Sequence, residues 1–221
     1  MVIILLGPPG VGKGTQGVLL SEALGWERLV TGDLLRAARR EGTELGERAR
    51  EYMDRGDLVP DEIIIGLVGE RLRGLEPGQS VLFDGFPRTL PQAKALGAAL
   101  PEVGRAVDGV VLFEAPDDVL VKRIGGRRSC PECGRVYNVY FDAPDLEDVC
   151  GDCGAALVHR SDDQPETVLH RLTVYREQTE PLVRYYGEEG TPLLRIEADR
   201  SPVEVRDALK VELTARLGVE G

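Results

Sequence analysis

The sequence predicts an α/β fold: a three-layer P-loop core around a parallel five-stranded sheet, carrying one helical insertion and one small zinc-ribbon lid. Three observations lead there. Short apolar runs alternate with segments of helical periodicity, the pattern of right-handed βαβ units whose strands are buried on both faces. The first run leads directly into Gly7-Pro8-Pro9-Gly10-Val11-Gly12-Lys13, a glycine-rich loop of the phosphate-binding kind. Two C-x2-C pairs sit in a stretch that breaks the alternation.

Val2 to Leu6, Ser80 to Phe83, Gly109 to Phe113 and Pro192 to Ile196 read as the buried strands. Helical patterns run from Lys13 to Leu24, Thr43 to Arg55, Asp61 to Arg73, Leu90 to Leu100 and Pro116 to Ile124. Another runs from Glu166 to Tyr186, with a kink expected at Pro181. The last helix opens on Ser201-Pro202-Val203-Glu204, a capping box with proline at the first helical position. Residues 30–59 read as helical without a strand, and residues 127–163 hold all four cysteines. Both are expected to be insertions at the strand ends, where open α/β sheets bind ligands. Residues 1–29, 60–126 and 164–221 then form the core.

A chain of 221 residues suffices for one sizeable core with inserted subdomains and is short for two full domains. Its ordinary globular composition, without low-complexity tracts, excludes a disordered chain. The net charge of −11 repels a nucleic-acid backbone on average, so nucleic acid is not an expected partner. Met1 runs straight into an apolar strand with no basic leader, and no stretch reaches membrane-spanning length. A cytoplasmic protein with no membrane partner is expected, and thiols stay reduced there, so the cysteines read as metal ligands rather than disulfides.

In the glycine-rich loop, Gly10, Val11, Gly12, Lys13, Gly14 and Thr15 are the residues expected to hold phosphate. Backbone N–H groups turn inward, the helix N-terminus adds partial positive charge, and Lys13 reaches the terminal oxygens. Position 14 is glycine and Thr15 follows, where the general motif has Ser or Thr directly after lysine. Magnesium is therefore not expected to be held as in the common P-loop GTPases.

Gly7 to Gln16, with this Gly-Thr departure, resembles the phosphate loop of the adenylate kinases, a nucleoside monophosphate kinase family. Thr31-Gly32-Asp33-Leu34-Leu35-Arg36 and Asp84-Gly85-Phe86-Pro87-Arg88-Thr89-x-x-Gln92 resemble that family's AMP site. Gly126-Arg127-Arg128 and Asp162-Asp163 resemble the hinges of its lid. The resemblance implies reversible transfer of the γ-phosphoryl of magnesium-bound ATP, or GTP, to AMP, giving ADP from each when ATP is the donor. It also implies a set of site residues. Arg123, Arg127, Val136, Tyr137 and Arg200 join the loop on the donor side. Thr31, Arg36, Asp57, Leu58, Val59, Gly85, Phe86, Pro87, Arg88, Gln92, Arg160 and Arg171 serve AMP. Lys13, Asp84, Arg88, Arg123, Arg160 and Arg171 are the implied catalytic set, Asp84 holding Mg2+ through water. A monomer is expected.

Physical sense agrees with the cations. Two nucleotides bring about six negative charges into one cleft, and planar guanidinium groups bind phosphate bidentately. No general base is required, because the attacking AMP oxygen is already ionised near neutral pH. Gln92 has two readings: Thr89-x-x-Gln92 is itself a capping box, while an amide also suits the adenine edge. Each arginine alone could equally be a solvated helix face.

Cys130-Pro131-Glu132-Cys133-Gly134 and Cys150-Gly151-Asp152-Cys153-Gly154, separated by sixteen residues, give a zinc-ribbon pattern with Zn2+ as structural ion. The glycine after each pair permits a left-handed turn aiming backbone N–H groups at sulfur. His159 and His170, the only histidines, are assigned no role, and His159 is expected at the surface. A ribbon alone fits a nucleic-acid-binding module, but the acidic charge and the complete phosphate loop oppose it.

Overall fold

The computed structural model describes residues 1–141 and 148–219; residues 142–147 of the cysteine segment and 220–221 of the core lie outside the described residues. Five strands form one parallel sheet, β1 (Val2–Leu6), β2 (Glu27–Val30), β3 (Val81–Asp84), β4 (Gly109–Glu114) and β7 (Leu193–Glu197), in the order β2-β3-β1-β4-β7. Along β1 the side chains alternate faces. Ile4 and Leu6 join Phe83, Leu96, Leu100 and Leu182 in one apolar layer, while Ile3 and Leu5 join Leu82, Phe113, Leu209 and Leu213 in the other. The α/β core anticipated from the alternation is therefore present.

Helices α1 (Lys13–Leu24), α4 (Asp61–Arg73), α5 (Leu90–Glu102), α6 (Asp117–Gly125), α7 (Pro165–Val174), α8 (Pro181–Glu188) and α9 (Pro202–Leu217) cover the two faces. The capping box at Ser201 and Glu204 is formed in both directions. Residues 30–59 fold mainly as α2 (Thr31–Arg40) and α3 (Glu44–Arg55). Strands β5 (Arg127–Ser129) and β6 (Val136–Asn138) pair antiparallel around a third, small cluster of Cys130, Tyr137, Cys150 and Leu157.

Two features differ from the sequence reading. The fifth strand, β2, lies where no apolar run exists, because as an edge strand it buries only Leu29 and carries Glu27 and Arg28 as charged, partly exposed residues. The interruption near Pro181 is a π-turn at Tyr175–Thr179 rather than a simple kink. Proline has no N–H to continue the ladder, and the Glu180 N–H reaches back five residues to Tyr175 O at 2.9 Å.

Because all five strands run parallel, their carboxyl ends meet on one edge, and the loops leaving them converge there. The phosphate loop follows β1 and the Gly85–Arg88 loop follows β3. Thr31 opens α2 directly from the end of β2.

Candidate active site

Two glycines shape the loop after β1. Gly7, at φ 142°, and Gly10, at φ 80°, pack so closely that an added Cβ would fall 2.6 Å from Phe113 O and 2.5 Å from Ile124 Cγ1. The loop ends on Gly12, whose lack of a side-chain cap leaves the α1 N-terminus open toward the cleft. Lys13 Nζ donates to Gly7 O (2.6 Å) and Pro8 O (2.9 Å). Burial pushes the Lys13 ammonium down to about 7; Asp84 opposes the shift, and Arg88, Arg171 and Arg127 add to it.

The loop forms one wall of a cleft of about 1980 Å³, larger than the ~300–1,000 Å³ of a site for one small molecule. Lys13, Arg36, Arg88, Arg123, Arg127, Arg160 and Arg171 all line it. Arg36 pairs with Asp33 at 2.6 Å, and Arg127 with Asp163 at 2.7 Å through Nε. Arg171 reaches Asp162 Oδ2 (3.0 Å) and Asp163 Oδ1 (2.9 Å). Arg88 Nε donates to Gly85 O at 2.8 Å, and Arg123 donates to Ala198 O (2.6 Å) and Arg200 O (3.1 Å). Arg160 differs: its guanidinium makes no hydrogen bond or ion pair among the described residues, and its Nε is buried. Burial, then Arg127 and Arg36, lower its pKa to about 9; burial, then Arg171, lower that of Arg88 to about 10.

Asp84 ends β3 beside the loop, 6% exposed, with Arg28 Nη1 3.6 Å from its Oδ2. Burial raises its pKa against the pull of Lys13, Arg28 and Arg88. The other loop residues Val11, Gly14 and Thr15, together with Leu58, Gly85, Pro87, Val136, Tyr137 and Arg200, share the same cleft.

Thr31, Asp57, Val59, Phe86 and Gln92 are not among the residues lining it. Thr31 spends its hydroxyl on Gly85 O at 2.8 Å, and Phe86 and Val59 are packed into the core. Asp57 accepts from His170 Nε2 (2.6 Å) and Arg55 Nε (3.0 Å). Gln92 accepts the Arg88 N–H (2.8 Å) and donates to Asp61 Oδ1 (2.7 Å), so its amide is occupied at both ends.

Three groups had no part in the site as the sequence was read. Arg28 approaches Asp84 from an edge strand whose existence no apolar run signals. Asp163, named only as part of a hinge, is fully buried and holds both Arg127 and Arg171. Asp61 anchors both Thr89 and Gln92.

The four cysteine sulfurs lie within 4.8 Å of one another, and none is in a disulfide. Cys130 and Cys153 sulfurs are 3.4 Å apart, those of Cys133 and Cys150 3.6 Å. Tetrahedral zinc with bonds of ~2.3 Å separates sulfurs by about 3.8 Å, so the set fits a closed site of four thiolates. Gly134 and Gly154 do take left-handed turns, at φ 78° and 75°. Their N–H groups, however, bond to Cys130 O and Cys150 O, and the N–H lying 3.5 Å from Cys130 Sγ is that of Cys133. His159 is half-buried rather than a surface residue, and among the described residues it is not part of the cluster.

A profile described as adenylate kinase matches residues 5–191. The adenylate kinase of Syntrophotalea carbinolica is 50% identical over 86% of this chain and 88% of its own length. That of Carboxydothermus hydrogenoformans is 47% identical over 95% and 98%, and that of Methanosarcina barkeri 46% identical over 96% and 98%.

Two outcomes follow from this geometry. A polyphosphate contacting Lys13 favours its charged form, so at pH 8, above the free value of about 7, binding should draw a proton from solvent. At pH 6 it should draw almost none. Calorimetric titration with a triphosphate in buffers of different ionisation enthalpy measures that uptake, and equal uptake at both values contradicts it. Removing metal from the cysteine cluster by chelation, or changing Cys130 to Ser, should lower the melting temperature, because so small a segment has little other core. Metal content and melting measured on one preparation check this; a melting curve unmoved by metal loss would overturn it.

Proposed function

The chain belongs to the adenylate kinase family and is a phosphotransferase that moves a phosphoryl group from ATP to AMP, and we propose how its residues divide that work. Gly10, Val11, Gly12, Gly14, Thr15 and Lys13 hold the donor phosphates, with Arg123, Arg127, Val136, Tyr137 and Arg200 around the rest of the donor. Arg36 and Arg88 grip the AMP phosphate. Gly85, Pro87 and Leu58 line the acceptor's side of the cleft, while Thr31, Asp57, Val59, Phe86 and Gln92 serve through backbone groups or by bracing that wall. Arg160 and Arg171 lie between the two nucleotides, over the group in flight.

One observation carries this reading: half-buried cations from several elements meet in a cleft where, among the described residues, the Arg160 guanidinium forms no ion pair. Donors aimed at developing charge in a site shielded from water lower the barrier without reorganising. The attacking phosphate oxygen needs no base, and the mechanism is positioning with charge stabilisation.

Asp84 suits Mg2+, since a buried carboxylate at a strand's carboxyl end offers a hard oxygen donor. Bound with the triphosphate, magnesium neutralises charge on its oxygens. Asp84 orients that complex, and Lys13 and Arg28 oppose the rise that burial imposes on the pKa of its carboxyl. Zinc in the four-cysteine site is structural, because four thiolates leave no position for substrate.

Residues 30–59 and 127–163 act as bodies that close over the core of residues 1–29, 60–126 and 164–221, with Gly125-Gly126 and Ser161-Asp162-Asp163 as hinges. Closure excludes water from the transferring group. The contact of Ser161 Oγ with Asp54 Oδ1 at 2.7 Å supports this, since it joins the two insertions directly. Four free thiols fit a reducing cytoplasm. No helix among the described residues is long and apolar enough to cross a membrane. We place the enzyme in the cytoplasm as a monomer acting on free nucleotides.

A coupled assay should show ATP and AMP consumed to give ADP, reversibly and only with magnesium. Running it with GTP in place of ATP measures donor preference, and release of free phosphate without transfer would refute the assignment. Arg88→Ala should lower turnover by about 10²–10³-fold. Because burial and neighbouring cations disfavour its charge, the same change should leave the melting temperature equal or higher. Unchanged steady-state parameters would place Arg88 outside the site.

A further inference from the structure

Tyr137 stands at the centre of the cysteine segment, 5% exposed, packed with Cys130, Cys150 and Leu157. Its hydroxyl oxygen accepts the Gly151 N–H at 2.8 Å and lies 3.5 Å from Cys150 Sγ. A phenol carries a single proton. Since the Gly151 contact uses the oxygen as acceptor, that proton is free for the sulfur, and a metal-bound thiolate has only acceptor capacity to offer. The hydrogen bond therefore runs from Tyr137 O–H to Cys150 Sγ.

The placement spans the two halves of the site. Tyr137 lies on β6, immediately after the first cysteine pair, and its partner belongs to the second pair. Arg135 caps the arrangement from outside, 4.8 Å over the Tyr137 ring and paired with Asp152. The next residue, Asn138, donates from Nδ2 to Arg123 O at 2.8 Å, which ties β6 to α6 in the core.

We propose that Tyr137 is a positioning residue for the metal centre: its hydroxyl donates to the Cys150 thiolate, joins the two cysteine pairs and seats β6 against the donor side of the cleft. The geometry assigns it a role that aromatic packing alone does not require. A phenylalanine would fill the same space yet leave the Gly151 N–H and the sulfur without this partner. Outer-shell donors of this kind orient a ligand and draw electron density from it.

The proposal rests on the cysteine cluster holding a metal, and the test separates the two. Zinc content and competition against a chromophoric chelator are measured on the full-length wild type and on Tyr137→Phe, followed by the absorption spectrum of each with Co2+ in place of zinc. Wild type should retain one metal per chain. The variant should bind Zn2+ about 10- to 100-fold more weakly, and its thiolate-to-cobalt band should move to longer wavelength as the sulfur regains electron density. Melting of the chelated forms supplies the control for folding. Metal-free wild type and metal-free variant should melt together, because without metal so small a segment has too little core to hold the Gly151 and Cys150 contacts of Tyr137. A variant with wild-type affinity and an unshifted cobalt band overturns the role of Tyr137. An equal loss of stability with and without metal reduces it to packing, and a wild type that binds no metal refutes the four-cysteine site itself.

Discussion

The structure depends on crowding like charge into one cleft without letting it disperse. Lys13 and Arg88 are driven toward their neutral forms first by loss of water, and neighbouring guanidinium groups add to the drive. At an effective dielectric of ~20, two unit charges 4 Å apart repel by about 4 kcal/mol. That is a substantial part of a net stability of roughly 5–15 kcal/mol. The fold answers with Asp33, Asp84, Asp162 and Asp163, each facing one or more of the cations. The compensation is incomplete at Arg160. A polyphosphate completes it, and because the cations are already in place, little of the binding energy is spent on arranging them.

Holding a half-buried guanidinium requires holding its backbone, and Arg88 shows how. Its N–H is received by Gln92, whose amide is in turn pinned by Asp61 at the start of α4. Its carbonyl receives the Thr179 hydroxyl at 2.8 Å. Thr179 lies in the π-turn that precedes Pro181, so an irregularity in the helix face is what delivers that donor to the cleft wall. The loop itself turns on Gly85, where an added Cβ would fall 2.9 Å from Arg88 Nη2. Three helices thus serve one side chain's position, and the residues doing so bear no charge-transfer role themselves.

These particulars show which parts of the molecule were readable from the chain. The first strand with its glycine loop, the alternation behind the sheet, and the spacing of the cysteines are local patterns, and local physics determines each of them. Strand β2 was not readable, because an edge strand needs to bury only one face and Leu29 alone satisfies it. The partnerships of Arg28 with Asp84 and of Asp163 with Arg127 and Arg171 were hidden for another reason. Arg28 and Asp84, like Arg127 and Asp163, lie far apart in sequence and become neighbours only through the fold, while Arg171 reaches Asp163 from eight residues further along, on α7. The glycines after the cysteine pairs were read correctly for conformation, yet their N–H groups serve the turn's own carbonyls. A positive φ states how a backbone bends; which acceptor then receives its N–H depends on the turn's closure.

The contrast between exterior and cleft bears on selectivity. The chain carries a net charge of −11, while its cleft is walled by arginines and a lysine. At physiological ionic strength a charge is screened beyond about 8 Å. A mononucleotide is small enough to pass inside that range and exchange its water for fixed guanidinium groups. The same recess explains why the cations can be so numerous: only a ligand that fills the cleft ever feels their sum.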